Sequence, residues 1–264
     1  MRRLRVSRLL LAGFAAVVYA FLLLPLLIVF PISFSSAQYL QFPPPGWSLQ
    51  WYERYVDSPN WLEPTWLSLK VAVATMVLSL LVGVPLAFGL TRARFWGRDA
   101  FEKLTAAPII VPTIVTSIAL YGLFAQLRLI GAWYGIALAH TVLALPFVIV
   151  LVVAGLRDFD LNQELAARGL GASRWQAVWH VTLPQIRPSL VSAAFLAFIS
   201  SFDELVVAMF LGGANMTLPK KMFDNIRMEI DPTIAAISSL QIVLVCALLA
   251  LATRFGRGAG MTDR

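Results

Sequence analysis

Asp203 and Glu204 lie side by side in an otherwise uncharged, apolar run at about residues 188–211. Side chains one residue apart point about 100° apart on a helix, so the two carboxylates cannot both face lipid cheaply. A charge inside a membrane span costs about 2.5–3.5 kcal/mol on insertion scales. At least one of the pair should therefore face a bundle interior or a water-filled path. Two readings follow: a counter-ion or gate for a cation on a translocation path, or structural groups that pair with a basic neighbour or cap a break in the helix. Other chemistry is poorly represented. Cys246, His140 and His180 are the only cysteine and histidines, too few and too scattered for a metal site. A G-x-x-x-x-G-K-[ST] phosphate loop is absent, and the dipeptide Gly-Lys never occurs. No catalytic residue, metal or cofactor is expected, and the energy for any transport must come from a partner or a gradient. His140 reads as an interhelical hydrogen-bonding group, Tyr121 and Gln126 as interface anchors, and Met216, Met222 and Met228 as packing filler.

The elements that must carry these residues are membrane helices. Of 264 residues, 59% are hydrophobic and 13% charged, against about 45–50% and about 25% in soluble domains. Six apolar runs stand between clumps of charge, at about 9–34, 71–90, 104–127, 133–156, 188–211 and 234–253. Each is close to the roughly 20 residues that cross a bilayer core, and backbone in lipid must satisfy its own hydrogen bonds. The expected fold is an all-α polytopic membrane protein with six transmembrane helices in one domain, 1–264. The basic start Met1-Arg-Arg-Leu-Arg resembles a signal peptide, but the first run exceeds the usual apolar core of about 7–15 residues and reads as a retained anchor. Pro25, Pro85, Pro108, Pro112 and Pro146 lie in or near the runs as expected kinks.

The net charge of +7 belongs to loops that flank the runs, which points to membrane orientation and away from nucleic acid. With the N-terminus inside, the inner segments hold 15 lysines and arginines: Arg2, Arg3, Arg5, Arg8, Arg92, Arg94, Arg98, Lys103, Arg157, Arg168, Arg174, Arg187, Arg254, Arg257 and Arg264. The outer segments hold six: Arg54, Lys70, Arg128, Lys220, Lys221 and Arg227. Both termini are expected in the cytoplasm. Two connections are too long for turns. The outer one, 35–66, carries Trp47, Trp51, Trp61 and Trp66. The inner one, 158–184, is more informative.

That inner loop predicts two short helices. Asp160 caps the first, and Gly171 stops it, because glycine takes the left-handed conformation at low cost. Ser173 caps the second with Gln176 as capping-box partner, and Pro184 is expected to end it. Leu165, Leu170, Trp175, Val178 and Trp179 give the resulting knob an apolar surface. On composition alone the segment reads equally well as an amphipathic linker on the membrane surface.

The same residues resemble the loop of permeases in ATP-binding-cassette importers, whose pattern is E-A-A-x-x-x-G, nine residues, then aliphatic-x-Leu-Pro. Ala166, Ala167, Gly171, Val181, Leu183 and Pro184 match at the right spacing, and Leu-Gly-Ala-Ser at 170–173, with Ala172 and Ser173, is the usual filling. Leu165 stands where the family has glutamate, and Glu164 is one residue early. Phe198-Ile-Ser-Ser-Phe-Asp-Glu-Leu, the stretch from Thr217 to Ala236 and Leu49-Gln-Trp-Tyr-Glu are similar to spermidine/putrescine-type permeases.

The resemblance implies a type I importer permease (MetI-like) bundle in a bacterial inner membrane. Its loop docks into a cytoplasmic ATPase dimer, a second and different permease completes the path, and a periplasmic solute-binding protein delivers the solute. It also implies a small organic cation as solute, most simply a polyamine, with amino-acid derivatives and opines as alternatives. The mixed-charge outer segment Lys220, Lys221, Asp224, Arg227, Glu229 and Asp231 is a candidate contact for the binding protein. A lone ion-gradient transporter using Asp203 or Glu204 as a relay is the rival class, but inverted repeats are not visible in the sequence and that class leaves the loop unexplained. A non-transporting membrane scaffold would need no acidic pair in a span.

Overall fold

The computed structural model describes residues 2–228 and 231–256, with side chains from Leu11 onward. Glu229, Arg257 and Arg264 lie outside these residues, as do the side chains of Arg2, Arg3, Arg5 and Arg8. Helices dominate, and the described residues hold only one isolated β-bridge, between Ser35 and Trp47. The chain divides into two compact units, residues up to 62 with 222–244, and 63–221 with 245 onward.

The first unit begins with α1 (Arg2–Ser33), which beyond its four arginines is apolar all round and leaves Leu11, Phe14, Phe21 and Leu27 exposed. A helix of that kind suits lipid, which rewards no single face. The outer connection then folds onto a short amphipathic helix, α2 (Gln50–Asp57). Its buried Trp51 donates its indole N–H to the Ser35 carbonyl at 2.9 Å. The Tyr52 hydroxyl bonds the Ser33 and Ser239 hydroxyls, each at 2.7 Å. Interface aromatics thus act as the hydrogen-bonding rivets of this segment.

The second unit is built on α3 (Pro59–Arg92), α7 (Trp133–Asp158) and α11 (Arg187–Phe202). Ala87, Ala144, Ala193 and Ala197 are fully buried where these helices meet, with Val148, Val152 and Ile186 filling between them. Small residues let helix backbones approach closely in a membrane. At Gly155 a Cβ would run into the Ser189 side chain, and at Gly83 into Val148. Between α3 and α7 lie α4 (Arg98–Thr105), α5 (Ala107–Ile110) and α6 (Thr113–Gln126).

Among the described residues, four helices are long and apolar enough to cross a membrane, and a bent pair adds a fifth candidate. The third apolar run differs from the single helix expected for it. It breaks at Val111, which is extended at φ −75° and ψ 130° ahead of Pro112. Proline disfavours helical backbone in the residue before it, so α6 alone holds 14 residues. In contrast, α3 starts twelve residues earlier than its apolar run, at Pro59. Pro25, Pro85 and Pro146 stay inside continuous helices.

Candidate functional site

The inner loop forms the expected knob. In α8 (Leu161–Gly169), the Asp160 carboxylate accepts from the Asn162 N–H at 3.0 Å. Gly171 has φ +96°, and the N–H groups of Gly171 and Ala172 return to the carbonyls of Arg168 and Ala167. Such a turn suits glycine because other L-residues resist that conformation. Ser173 and Gln176 then form both halves of a capping box at the start of α9 (Arg174–Ala177).

Pro184 does not end this second helix, as the sequence had suggested. The chain widens into a π turn over Val178–Thr182 and continues as α10 (Leu183–Gln185), with Pro184 in its first turn. A proline ring collides with the carbonyl four residues back in a regular helix, and a wider turn ahead of it relieves that contact. The helix breaks two residues later, at Ile186, where the two halves meet at 72°.

The outward face of the knob is apolar. Leu161, Leu165, Leu170, Trp175 and Trp179 are exposed, Leu170 by 92%, and the two indoles stack at 6.0 Å; Val178 is half-buried. Ala166, Gly171 and Ser173 lie exposed around them, with Ala167 and Ala172 partly covered. Single exposed apolar side chains are ordinary on a surface, but five in one short segment, two of them stacked indoles, make the knob a candidate interaction surface.

Glu164 faces the other way and is only 7% exposed. Its Oε2 lies 2.6 Å from Nη1 of Arg92, at the end of α3, and accepts from the Thr182 hydroxyl at 2.7 Å. Arg92 Nη2 lies 3.5 Å from that hydroxyl, and its guanidinium sits over the Phe88 ring. Gln185 also donates to Gln163. Sequence reading missed Arg92 and Thr182, because a partner so distant in the chain leaves no trace in one sequence.

The second part of the site is a break in the fifth apolar run. After α11 the chain leaves helical geometry at Asp203 and resumes as α12 (Val206–Leu211). Glu204 caps that restart. Its carboxylate accepts from the N–H groups of Val206, Val207 and Ala208, at 2.9, 2.8 and 3.3 Å. A carboxylate there satisfies otherwise orphaned donors and complements the helix dipole. Behind it, His140 of α7 is buried, with Nδ1 bonded to Ser201 Oγ at 2.8 Å and Nε2 3.4 Å from Glu204 Oε2. The latter spacing is in ion-pair range, but the geometry does not make a hydrogen bond. The Ser201 hydroxyl donates to Thr75 of α3 at 3.2 Å, so three helices share this polar core.

Asp203, in contrast, presents an exposed carboxylate at the break. Tyr121 and Gln126 are exposed on α6. In the outer segment, α13 (Leu218–Met228) is a helix where a loop was expected, and its Leu218 N–H donates to Ser68 at 2.7 Å. Asp231 accepts from both the N–H and the hydroxyl of Thr233, at the start of α14 (Thr233–Gly256), and lies 3.7 Å from Arg54. Among the described residues there is no metal-ligating cluster.

Comparisons with known proteins agree with this arrangement. The sequence is 32% identical over 241 residues to the spermidine/putrescine transport system permease protein PotC of Haemophilus influenzae, covering 90% of this chain and 93% of that one. It is 32% identical over 230 residues to the putrescine transport system permease protein PotI of Escherichia coli K12, covering 84% and 82%. The fold matches a bacterial ABC transporter involved in import of the acidic polysaccharide alginate, with a TM-score of 0.75 at 22% identity over 97% of this chain and 98% of that one. Residues 79–259 match the family described as binding-protein-dependent transport system inner membrane component. The knob, the broken span and these matches together make the chain a member of that family, a multi-pass membrane permease subunit of an ATP-binding-cassette importer and not an enzyme.

Proposed function

We propose that this permease forms one half of the translocation path for a small organic cation, a polyamine such as putrescine or spermidine. The observation that carries the reading is the exposed carboxylate of Asp203 at a break inside an apolar run. Glu204 spends its charge on the backbone of α12, so Asp203 is the group left to meet a cation. A carboxylate that lipid would penalise belongs against water, a solute or a partner helix. The polyamine systems named for two relatives support the same class of solute.

The assembly that fits is a heterodimer with a second permease, a cytoplasmic ATPase dimer seated on the knobs, and a periplasmic binding protein outside. The chain crosses the inner membrane six times, with α1, α3, the broken run α5–α6, α7, the broken run α11–α12 and α14 as the spans. Both termini lie in the cytoplasm, in keeping with the 15 basic residues on that side against six on the other. The mechanism is alternating access. ATP binding closes the ATPase dimer and drives the knobs together, the spans open outward, and hydrolysis resets them.

The test is uptake by proteoliposomes holding the complete complex, with radiolabelled putrescine and spermidine against neutral and anionic solutes. ATP-dependent accumulation of the cations alone supports the reading. Accumulation of an anionic solute, or uptake that follows an ion gradient without ATP, overturns it.

A further inference from the structure

The carboxylate nearest the family's glutamate position does not face the surface where the ATPase seats. Glu164 is buried, and its Oε2 is shared between the Arg92 guanidinium at 2.6 Å and the Thr182 hydroxyl at 2.7 Å. Three segments meet at that atom: the end of α3, the first helix of the knob, and the π turn leading to α10. Leu165, at the glutamate position, is exposed among the apolar residues of the knob. The outer face of the knob is therefore free to bind by apolar contact, while its one buried carboxylate is tied to the permease itself.

This division of labour has a mechanical consequence. A knob moved by a partner transmits force only through what holds it to the spans. The chain holds the knob at two ends, through Phe159 and Asp160 to α7 and through the π turn and the 72° break at Ile186 to α11. The Arg92–Glu164 pair bypasses both and leads straight into α3. The pair is partly buried, with Glu164 covered and Arg92 half-covered, and salt screens such a pair less than an exposed one. Gln163 and Gln185 add a neutral link between the same two parts of the loop.

We propose that Glu164 and Arg92 are positioning residues that lock the knob to α3, so that motion of the ATPase reaches the spans through α3 as well as through the chain connection. The proposal rests on the knob being the ATPase seat. Arg92 touches Glu164 through one nitrogen at short range, so charge should matter more than the planar fork of the guanidinium.

The experiment uses the complete complex in proteoliposomes, with two readouts. One is radiolabelled putrescine taken up per ATP hydrolysed. The other is stimulation of ATP hydrolysis by the binding protein isolated from producing cells, which requires no knowledge of the solute and reports coupling from the far side of the spans to the ATPase. Arg92→Gln is expected to keep the ATPase in the purified complex yet lower both readouts about tenfold, the size of an ordinary allosteric coupling. Glu164→Gln is expected to lower them likewise, and Arg92→Lys to keep more than half. Equal readouts for Arg92→Lys and Arg92→Gln, or Arg92→Gln indistinguishable from the unaltered complex, overturn the proposal. Loss of the ATPase from the Arg92→Gln complex also overturns it, since the pair would then serve assembly and not coupling. Gly171→Asp, run in parallel, separates the two ideas. If it leaves coupling intact, the seat itself has been misassigned; if it uncouples while Arg92→Gln does not, only the lock fails.

Discussion

Glu204 Oε2 accepts from the Val207 N–H at 2.8 Å, while Asp203, the preceding residue, leaves its carboxylate exposed. Two acidic residues that look alike in the sequence thus differ in their surroundings: Glu204 caps a helix, and Asp203 is left exposed for the cation role proposed above. Asp203→Asn should lower uptake of a cationic solute by at least about tenfold, a loss of about 1.4 kcal/mol in equilibrium terms, and leave the melting temperature of the complex unchanged. Transport kinetics and thermal unfolding in detergent, measured side by side, check both halves. Unchanged uptake would return Asp203 to a structural role.

Glu204→Ala should behave in the opposite way. It strips three N–H groups of α12 of their acceptor, and loss of a helix cap costs about 0.5–2 kcal/mol. The variant should melt earlier, with Glu204→Gln intermediate because its amide oxygen still accepts. A Glu204→Ala protein as stable as the parent would show that the break holds without its cap.

His140→Ala should destabilise the same region by about 1–3 kcal/mol, because Ser201 loses one of its two buried partners and keeps only Thr75. The expected signature is faster backbone hydrogen exchange around the break between α11 and α12. Exchange that stays at the parent rate would argue against a shared polar core.

Gly171 occupies φ +96°, and a side chain there costs about 1–2 kcal/mol. Gly171→Asp should insert into the membrane normally yet lose most coupled uptake, because the turn that orients the knob is deformed. Gly171→Asn should be milder, since asparagine tolerates the left-handed region better than other residues with a side chain. Normal uptake by the aspartate variant would contradict the docking role.

Gly155→Val should weaken the contact of α7 with α11, since even a Cβ meets the Ser189 side chain. Overpacking of this kind costs about 1–3 kcal/mol. Combining it with Ser189→Gly should recover part of the loss. A double variant no better than the single one would place the clash elsewhere.

Much of the molecule was legible before any coordinates. Hydrophobic runs and clumped charge are local properties, so helix positions followed from them; α7 begins and ends within two residues of its expected bounds. The knob was legible for a related reason. Its caps, Asp160, Gly171 and Ser173, act within three or four residues of themselves. The missed break at Val111 was in principle visible as well, because Pro112 restricts the residue before it.

What tertiary structure alone decided is where the polar side chains point. Nothing near Glu164 in the chain says that Arg92 lies 2.6 Å away, and nothing near Glu204 says that His140 stands behind it. Helix formation is governed by neighbours three and four residues apart, whereas ion pairs join whatever the packing brings together. The sequence by itself therefore determined a membrane-embedded helical permease with a two-helix knob at 158–184 and an acidic pair in an apolar run. Only the packing of α3, α7 and α11 set Thr75, His140 and Ser201 together behind Glu204.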